Sequence, residues 1–162
     1  MRPYFESFEI FSRDEIQEIE NLCVSYISQF FEYTTNRGNK DGNRICIPEQ
    51  KPFLKYLNKF SFDCHAMFMH HKPDVQVIRH VDDPNKRNCV LITPLYNNSK
   101  ISPCYFYEND HVETPTATCH YEYGKSTLIN TQQYHDLKNN ENERYSFHVC
   151  FENDFDEVVK TL

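Results

Sequence analysis

Residues 80–95 read HVDDPNKRNCVLITPL, a polar turn followed by an apolar run. Further along, an isolated histidine stands at position 135, and residues 144–151 read RYSFHVCF. Apolar runs of this length, bounded by turn residues, are typical of buried strands. The stretch from His80 to Arg144 therefore predicts a group of strands that carries two imidazoles, a carboxylate and a guanidinium.

The surrounding C-terminal half repeats the same pattern of short apolar segments. Proline, asparagine and aspartate clusters separate the segments, as expected for strands joined by turns. The predicted strands cover residues 65–70, 75–81, 89–95, 104–107, 116–121, 126–130 and 144–151. Regular short strands of this kind indicate a sandwich or a barrel.

The N-terminal part is predicted to be helical. Ser12 and Glu15 have the spacing of a capping box, and the apolar residues behind them recur at three- and four-residue steps. We expect an amphipathic helix that ends near Tyr33 and a second short helix over residues 52–60. Residues 36–44 are predicted to be a loop, for which a plain solvated connection and a mobile lid are both open.

These elements together predict an α+β, mainly β fold in a single domain, residues 1–162. We expect residues 1–60 to act as a helical support, with the helices packed on the outside of one sheet. Residues 64–151 are expected to form the β core that carries the polar group.

Composition narrows the class of partner and the compartment. The net charge is −7, and no basic stripe is available to neutralise phosphates, which argues against a nucleic-acid partner. Seven cysteines without a Cys-x-x-Cys pair indicate reduced thiols, and hence a soluble, cytoplasmic protein. The sequence shows neither an apolar signal segment nor an apolar run long enough to span a membrane, so a membrane association is not expected. The sequence leaves the oligomeric state open.

His80, Asp82 and His135 have the chemistry of a metal site. Residues two apart on a strand point to the same face, so His80 and Asp82 are expected to point together. Asp83 competes with Asp82, but it would point away from His80. Two histidines and one carboxylate suit non-haem Fe(II) with open positions, whereas a closed zinc site would favour thiolates.

Arg144 and Ser146 share one face of the last predicted strand. An arginine fork grips a carboxylate through two hydrogen bonds, and a serine hydroxyl two residues on can donate a third. His148 lies on this face too, and both pocket lining and core packing are open for it. The opposite face, residues 145, 147, 149 and 151, is apolar and is expected to pack against a helix or the other sheet.

The ordered set His-x-Asp, His and Arg-x-Ser resembles the motif of the Fe(II)/2-oxoglutarate-dependent oxygenases. Residues 80–90 (HVDDPNKRNCV) are similar to the corresponding segment of prolyl hydroxylases, and the resemblance covers residues 64–151. It implies a double-stranded β-helix of the jelly-roll or cupin-like type. It also implies Fe(II) held by the catalytic residues His80, Asp82 and His135, with 2-oxoglutarate held by Arg144 and Ser146. O2 would be the oxidant, and ascorbate is a candidate reductant.

The resemblance implies hydroxylation of a C–H bond in a protein side chain or a small molecule, with release of succinate and CO2. The tyrosine and glycine that often precede His-x-Asp in the family are absent here. Tyr96, Tyr105 and Tyr107 are candidates for helping to bind 2-oxoglutarate, and Tyr96 is included among the predicted cosubstrate-binding residues. Two alternatives are open: a cupin-type metalloprotein that does not use 2-oxoglutarate, and a non-catalytic β-sandwich binding module.

Overall fold

The computed structural model describes residues 4–34, 40–97, 101–138 and 142–162. Its strands are β1 (Phe5–Phe8), β2 (Phe31–Thr34), β3 (Lys40–Cys46), β4 (Cys64–His71), β5 (Gln76–His80), β6 (Cys89–Leu95), β7 (Cys104–Tyr107), β8 (Ala117–Cys119), β9 (Ser126–Asn130), β10 (Tyr134–Lys138) and β11 (Arg144–Phe151). Its α-helices are α1 (Arg13–Tyr26), α2 (Leu54–Leu57) and α3 (Phe155–Val159), and single 3₁₀ turns cover Ile27–Gln29 and Lys51–Phe53.

The strands form two antiparallel sheets. The larger sheet has the order β1-β9-β6-β11-β4-β3-β2, and the smaller sheet has the order β5-β10-β7-β8. From β4 onward the chain crosses repeatedly between them, so that β4, β6, β9 and β11 lie in one sheet and β5, β7, β8 and β10 in the other. The prediction of a mainly β, α+β fold is confirmed.

Apolar side chains cover both faces of the larger sheet. Its inner face packs against the smaller sheet, through residues that include Met67, Val90, Ile92, Ile129, Cys104 and Phe106. Its outer face packs against α1 and α2, and the Phe147 ring stacks there on Phe53 with centroids 5.7 Å apart. The N-terminal helices therefore lie on the outside of one sheet, as predicted.

Strand β11 contributes side chains to both faces of the larger sheet, because successive residues point alternately toward the helices and toward the smaller sheet. Phe147, Val149 and Phe151 belong to the outer cluster with the helices, as the sequence predicted. Arg144 and His148 line a cavity on the inner side, between the sheets. The apolar face therefore holds the strand against the helices while the polar face points into the space between the sheets.

The helical prediction was wrong in its extent. Helix α1 ends at Tyr26 rather than near Tyr33, and residues 31–34 form β2. Phe31 pairs with Ile45 of β3, and Arg44 donates a hydrogen bond to the carbonyl of Phe30 at 2.7 Å. Pairing of β2 with β3, the next strand along the chain, overrides the local helical periodicity here. The second helix is also shorter than predicted, since only residues 54–57 are α-helical.

Several strands escaped the sequence analysis. The predicted loop 36–44 is strand β3 from residue 40 onward, while residues 35–39 lie outside the described part of the chain, so the lid stays a prediction. Strands β1, β2 and β3 join the larger sheet, so residues 1–60 supply strands as well as helical support. Strand β10 and helix α3 were also missed. The single-domain organisation stays a prediction.

None of the described helices is long and apolar enough to cross a membrane. All seven cysteines are free thiols in the structure, and all but Cys64 are buried. The cytoplasmic location stays a prediction.

Ser12 begins α1 through the predicted capping box. The Ser12 hydroxyl accepts a hydrogen bond from the Glu15 amide at 3.2 Å, and the Ser12 amide donates to the Glu15 carboxylate at 2.8 Å. Ser12→Ala is therefore expected to lower the free energy of unfolding by about 1 kcal/mol, measured by urea denaturation. Ser25→Ala on the same helix removes an exposed hydroxyl that donates to the Leu22 carbonyl, and it should change this free energy by less than about 0.5 kcal/mol. Equal losses in both variants would contradict a capping role.

Candidate metal centre

The structure brings His80, Asp82 and His135 together at one end of the smaller sheet. His80 is the last residue of β5, and it faces His135 of β10 in the strand register, with ring centroids 4.5 Å apart. Asp82 follows β5, and its amide donates to the carbonyl of Thr131 at 3.0 Å. One ligand atom from each of the three side chains lies within 4.8 Å of the others.

Both imidazoles are oriented by backbone carbonyls. His80 Nδ1 lies 2.7 Å from the Ile78 carbonyl oxygen, and His135 Nδ1 lies 2.9 Å from that of Gln133. Because a carbonyl only accepts, Nδ1 must carry the proton, and a neutral ring then presents the lone pair of Nε2. Both histidines are thus held in the tautomer that can ligate a metal through Nε2.

Arg87 grips the carboxylate of the triad, and the sequence analysis assigned it no role. Its Nε donates to Asp82 Oδ2 at 2.6 Å, and a terminal nitrogen donates to Oδ1 at 3.2 Å. His80 Nε2 lies 3.3 Å from the same Oδ1. The only sequence indication was its place five residues after Asp82, in the turn that leads into β6.

Burial acts in different directions on the three ligands. It raises the pKa of Asp82, but the hydrogen bond from His80 and the charge of Arg87 outweigh it and hold the pKa of this carboxyl well below its usual range. Burial lowers the pKa of His135 to about 4. Burial also lowers the pKa of His80, but Asp82 outweighs it and raises the pKa overall. An ionised carboxylate and a neutral His135 are therefore available to a cation at neutral pH.

The triad opens into a cavity that extends to Arg144. The cavity has a volume of about 80 Å³, and the triad, Arg144, Tyr121 and His148 are among its lining residues. Arg144 is 4% exposed, and its Cζ lies 4.4 Å from the centroid of the Tyr121 ring. One terminal nitrogen donates to the Ser102 carbonyl at 3.3 Å, while Nε has no hydrogen-bond partner among the described residues. The buried guanidinium of Arg144 thus lies in the same cavity as the triad.

Ser146 and Tyr96, both predicted to bind cosubstrate, lie elsewhere. Ser146 is fully buried beneath the cavity, and its hydroxyl lies 2.8 Å from His148 Nε2. Tyr96 donates from its backbone amide and its hydroxyl to Glu20 of α1, at 2.6 and 3.2 Å. It lines, with Arg144, a second cavity of about 210 Å³. Their roles stay predictions, and Tyr121 is the tyrosine that packs on Arg144 in the cavity of the triad.

The donor set fits a divalent iron ion. Two imidazole nitrogens and one carboxylate form the ligand set of non-haem Fe(II) sites, and among the described residues no cysteine belongs to this cluster. The ionised Asp82 and the neutral His135 are in the protonation states that ligation requires, and a bound cation would displace the Nε2 proton that His80 shares with Asp82. A four-thiolate or mixed thiolate zinc site is not formed by these residues.

Comparison with known proteins identifies the fold. No family model and no curated protein matches the sequence. Among solved structures, a prolyl-4-hydroxylase from Pseudomonas putida aligns with a TM-score of 0.71 at 12% identity, covering 93% of both chains. A Trichoplax adhaerens prolyl hydroxylase, in complex with a hypoxia inducible factor peptide fragment, aligns with a TM-score of 0.70 at 14% identity, covering 98% of this chain and 87% of the other.

A third structure, a 2OG-Fe(II) oxygenase family oxidoreductase from Burkholderia pseudomallei, aligns with a TM-score of 0.67 at 11% identity. The alignment covers 93% of this chain and 85% of that chain. In this chain the strands alternate between two antiparallel sheets, as in a jelly roll, and the helices lie outside the larger sheet. The chain therefore has the double-stranded β-helix fold of the prolyl hydroxylases and related 2-oxoglutarate/Fe(II) oxygenases.

Proposed function

We propose that the protein is a non-haem Fe(II)/2-oxoglutarate-dependent oxygenase that hydroxylates a C–H bond and releases succinate and CO2. One observation carries the proposal: a single cavity contains the His80, Asp82 and His135 triad together with the buried cation Arg144. A metal site alone would fit many activities. A metal site and a carboxylate-binding group in one cavity fit a cosubstrate that is both a chelator and a dicarboxylate.

His80, Asp82 and His135 would hold the iron. When bound, Fe(II) would supply the activation of O2 and couple oxidation of the substrate to decarboxylation of 2-oxoglutarate. The protein orients both imidazoles through backbone carbonyls and holds the carboxylate with Arg87. The three ligating side chains are thereby positioned before a metal binds. Asp82 and His135 are buried, so water reaches the triad mainly at His80.

Arg144 would bind the distal carboxylate of 2-oxoglutarate. Its guanidinium is buried, and its Nε proton lacks a partner among the described residues, so a carboxylate in the cavity would satisfy both the charge and the donor. A cupin-type metalloprotein that does not use a dicarboxylate has no requirement for this cation. The position of Arg144 therefore favours the 2-oxoglutarate-dependent class over that alternative.

The exposed side of the triad favours a peptide or protein side chain as substrate. The His80 side chain is 36% exposed, and Ile78 and Val81 beside it are each 41% exposed. Two apolar side chains next to the reactive metal would provide contacts for an extended chain. The Trichoplax relative was solved with a peptide fragment, which supports the same class of substrate.

The proposal predicts a cosubstrate complex that depends on Arg144. Anaerobic titration of the protein with Fe(II) and 2-oxoglutarate should produce the weak visible charge-transfer band of the metal–cosubstrate chelate. Arg144→Met should raise the Kd for 2-oxoglutarate by about 10- to 100-fold, because a charge-assisted pair of hydrogen bonds is lost. The appearance of the band reports formation of the chelate, and its dependence on 2-oxoglutarate concentration gives the Kd.

A matched ligand and a matched variant control this experiment. 2-Oxobutyrate has the chelating end but no distal carboxylate, so it should bind wild type and Arg144→Met with the same weak affinity. Arg79→Met removes an arginine that lies on Tyr107 outside the cavity lining, and it should leave the Kd for 2-oxoglutarate unchanged. A wild-type protein that binds Fe(II) but not 2-oxoglutarate would favour the cupin-type alternative. Failure to bind any divalent metal would favour the binding module.

A further inference from the structure

The inner face of β11 forms a row of polar groups beneath the cavity. Successive inward residues are Arg144, Ser146, His148 and Cys150, spaced at about 7 Å along an extended strand. At the far end, the charge of Arg87 acts on the buried Cys150, and the same guanidinium holds Asp82. The row therefore runs from the arginine to the carboxylate of the metal triad.

His148 lies between those two ends. It is 5% exposed and lines the cavity, and the charges of Arg144, Arg87 and Asp82 all act on it. Its Nε2 lies 2.8 Å from the Ser146 hydroxyl. Its Nδ1 is buried and has no hydrogen-bond partner in the described part of the chain. A buried ring nitrogen without a partner, in the wall of a ligand cavity, indicates that a ligand supplies the partner.

The hydrogen bond between Ser146 and Nε2 links the protonation of one ring nitrogen to that of the other. Burial, together with the charges of Arg87 and Arg144, lowers the pKa of His148 well below its usual value, so the ring is neutral. A neutral imidazole has one donor nitrogen and one acceptor nitrogen. When the Ser146 hydroxyl donates to Nε2, the proton lies on Nδ1. Nδ1 then requires an acceptor, such as a carboxylate or keto oxygen.

We propose that His148 contacts the cosubstrate directly, donating from Nδ1 to an oxygen of a 2-oxo dicarboxylate, and that Ser146 acts through His148 rather than on the cosubstrate. The assignment rests on the proposed function. It changes the role that the sequence suggested for Ser146, from a direct ligand of the carboxylate to a positioning residue. A ligand that spans from Arg144 to the triad would pass this histidine, which accounts for its position in the wall of the cavity.

A double-mutant cycle separates the two roles of Ser146. The variants are Ser146→Ala, His148→Phe and the double variant, and the measurement is calorimetric titration of 2-oxoglutarate into Mn(II)-loaded protein. We expect His148→Phe to raise the Kd about 10-fold and Ser146→Ala about 3-fold. The double variant should bind no more weakly than His148→Phe alone. An additional 3-fold loss in the double variant would mean that Ser146 contacts the cosubstrate itself, and would overturn the proposal.

Two isosteric variants test which ring nitrogen matters. Asparagine places an amide N–H close to the position of Nδ1, whereas glutamine reaches the position of Nε2 and Ser146. His148→Asn should therefore retain tighter 2-oxoglutarate binding than His148→Gln, and the reverse order would contradict the proposal. Mn(II) affinity within about 2-fold of wild type shows in each variant that the triad is still folded.

The outcomes for the two proposals differ. If wild-type protein binds Mn(II) but not 2-oxoglutarate, the proposed function fails and the role of His148 fails with it. If wild type binds 2-oxoglutarate and His148→Phe binds it equally well, only the role of His148 is wrong.

Discussion

Asp82→Ala is expected to reduce succinate formation from 2-oxoglutarate more than about 100-fold. Removing a group that merely orients a ligand already costs about 10- to 100-fold in metal affinity or activity, so removing the ligand itself should cost more. His80→Ala should behave in the same way. Succinate release is measured by chromatography, and Mn(II) affinity is measured in parallel by calorimetry, so that the loss can be attributed to the metal.

Asp83 provides the matched control. It is adjacent to Asp82, but its Oδ1 accepts a hydrogen bond from the Asn85 amide at 3.0 Å, within the turn after β5. Asp83→Ala should therefore keep both Mn(II) affinity and succinate formation close to wild type. Full turnover by Asp82→Ala would refute the ligand assignment, and loss of turnover only in Asp83→Ala would transfer it to the neighbouring carboxylate.

Arg87→Met is expected to destabilise the metal-free protein by about 3–5 kcal/mol. The substitution removes two hydrogen bonds and a positive charge from the Asp82 carboxylate, which is 8% exposed, and removing one partner of a buried ion pair costs about this much. A divalent cation would neutralise the same carboxylate. Mn(II) should therefore restore most of the lost stability, and it should raise the Tm of Arg87→Met more than that of wild type.

Arg79→Met controls for the general loss of a part-buried arginine. Arg79 lies 3.7 Å from Asp136 and 3.4 Å from the centroid of the Tyr107 ring, and neither group belongs to the triad. Its loss should lower the Tm equally with and without Mn(II). If Mn(II) stabilises Arg87→Met no more than it stabilises wild type, Arg87 does not compensate the charge of Asp82.

The strands were predictable where their side chains are apolar on at least one face. β6 is buried along its whole length and reads as a continuous apolar run, and β11 alternates polar and apolar residues as expected for a strand between helices and a cavity. β10 was missed, although it carries His135, because its sequence is YHDLK. Its inward positions hold one leucine and His135, the proposed metal ligand, so the usual alternation is weak. β2 and β3 were missed because their pairing, with each other in a hairpin and of β3 with β4, decides their structure more than local pattern does.

The sequence by itself determined seven of the strands and the capped first helix. It also determined two spacings: one places His80 beside Asp82, and the other places Arg144 and Ser146 on the same strand face. These are local properties, since they depend on periodicity within a few residues. Only the tertiary structure decided that Arg87 holds Asp82, that Tyr121 packs on Arg144, and that Ser146 is bonded to His148. Tyr121 and Arg144 come from distant segments, so no local spacing brings them together. Arg87 and Asp82 share one turn, and Ser146 and His148 share one strand, but their contacts depend on side-chain orientations that packing selects. Burial also leaves each polar group few partners, and which partner is available depends on how the two sheets pack.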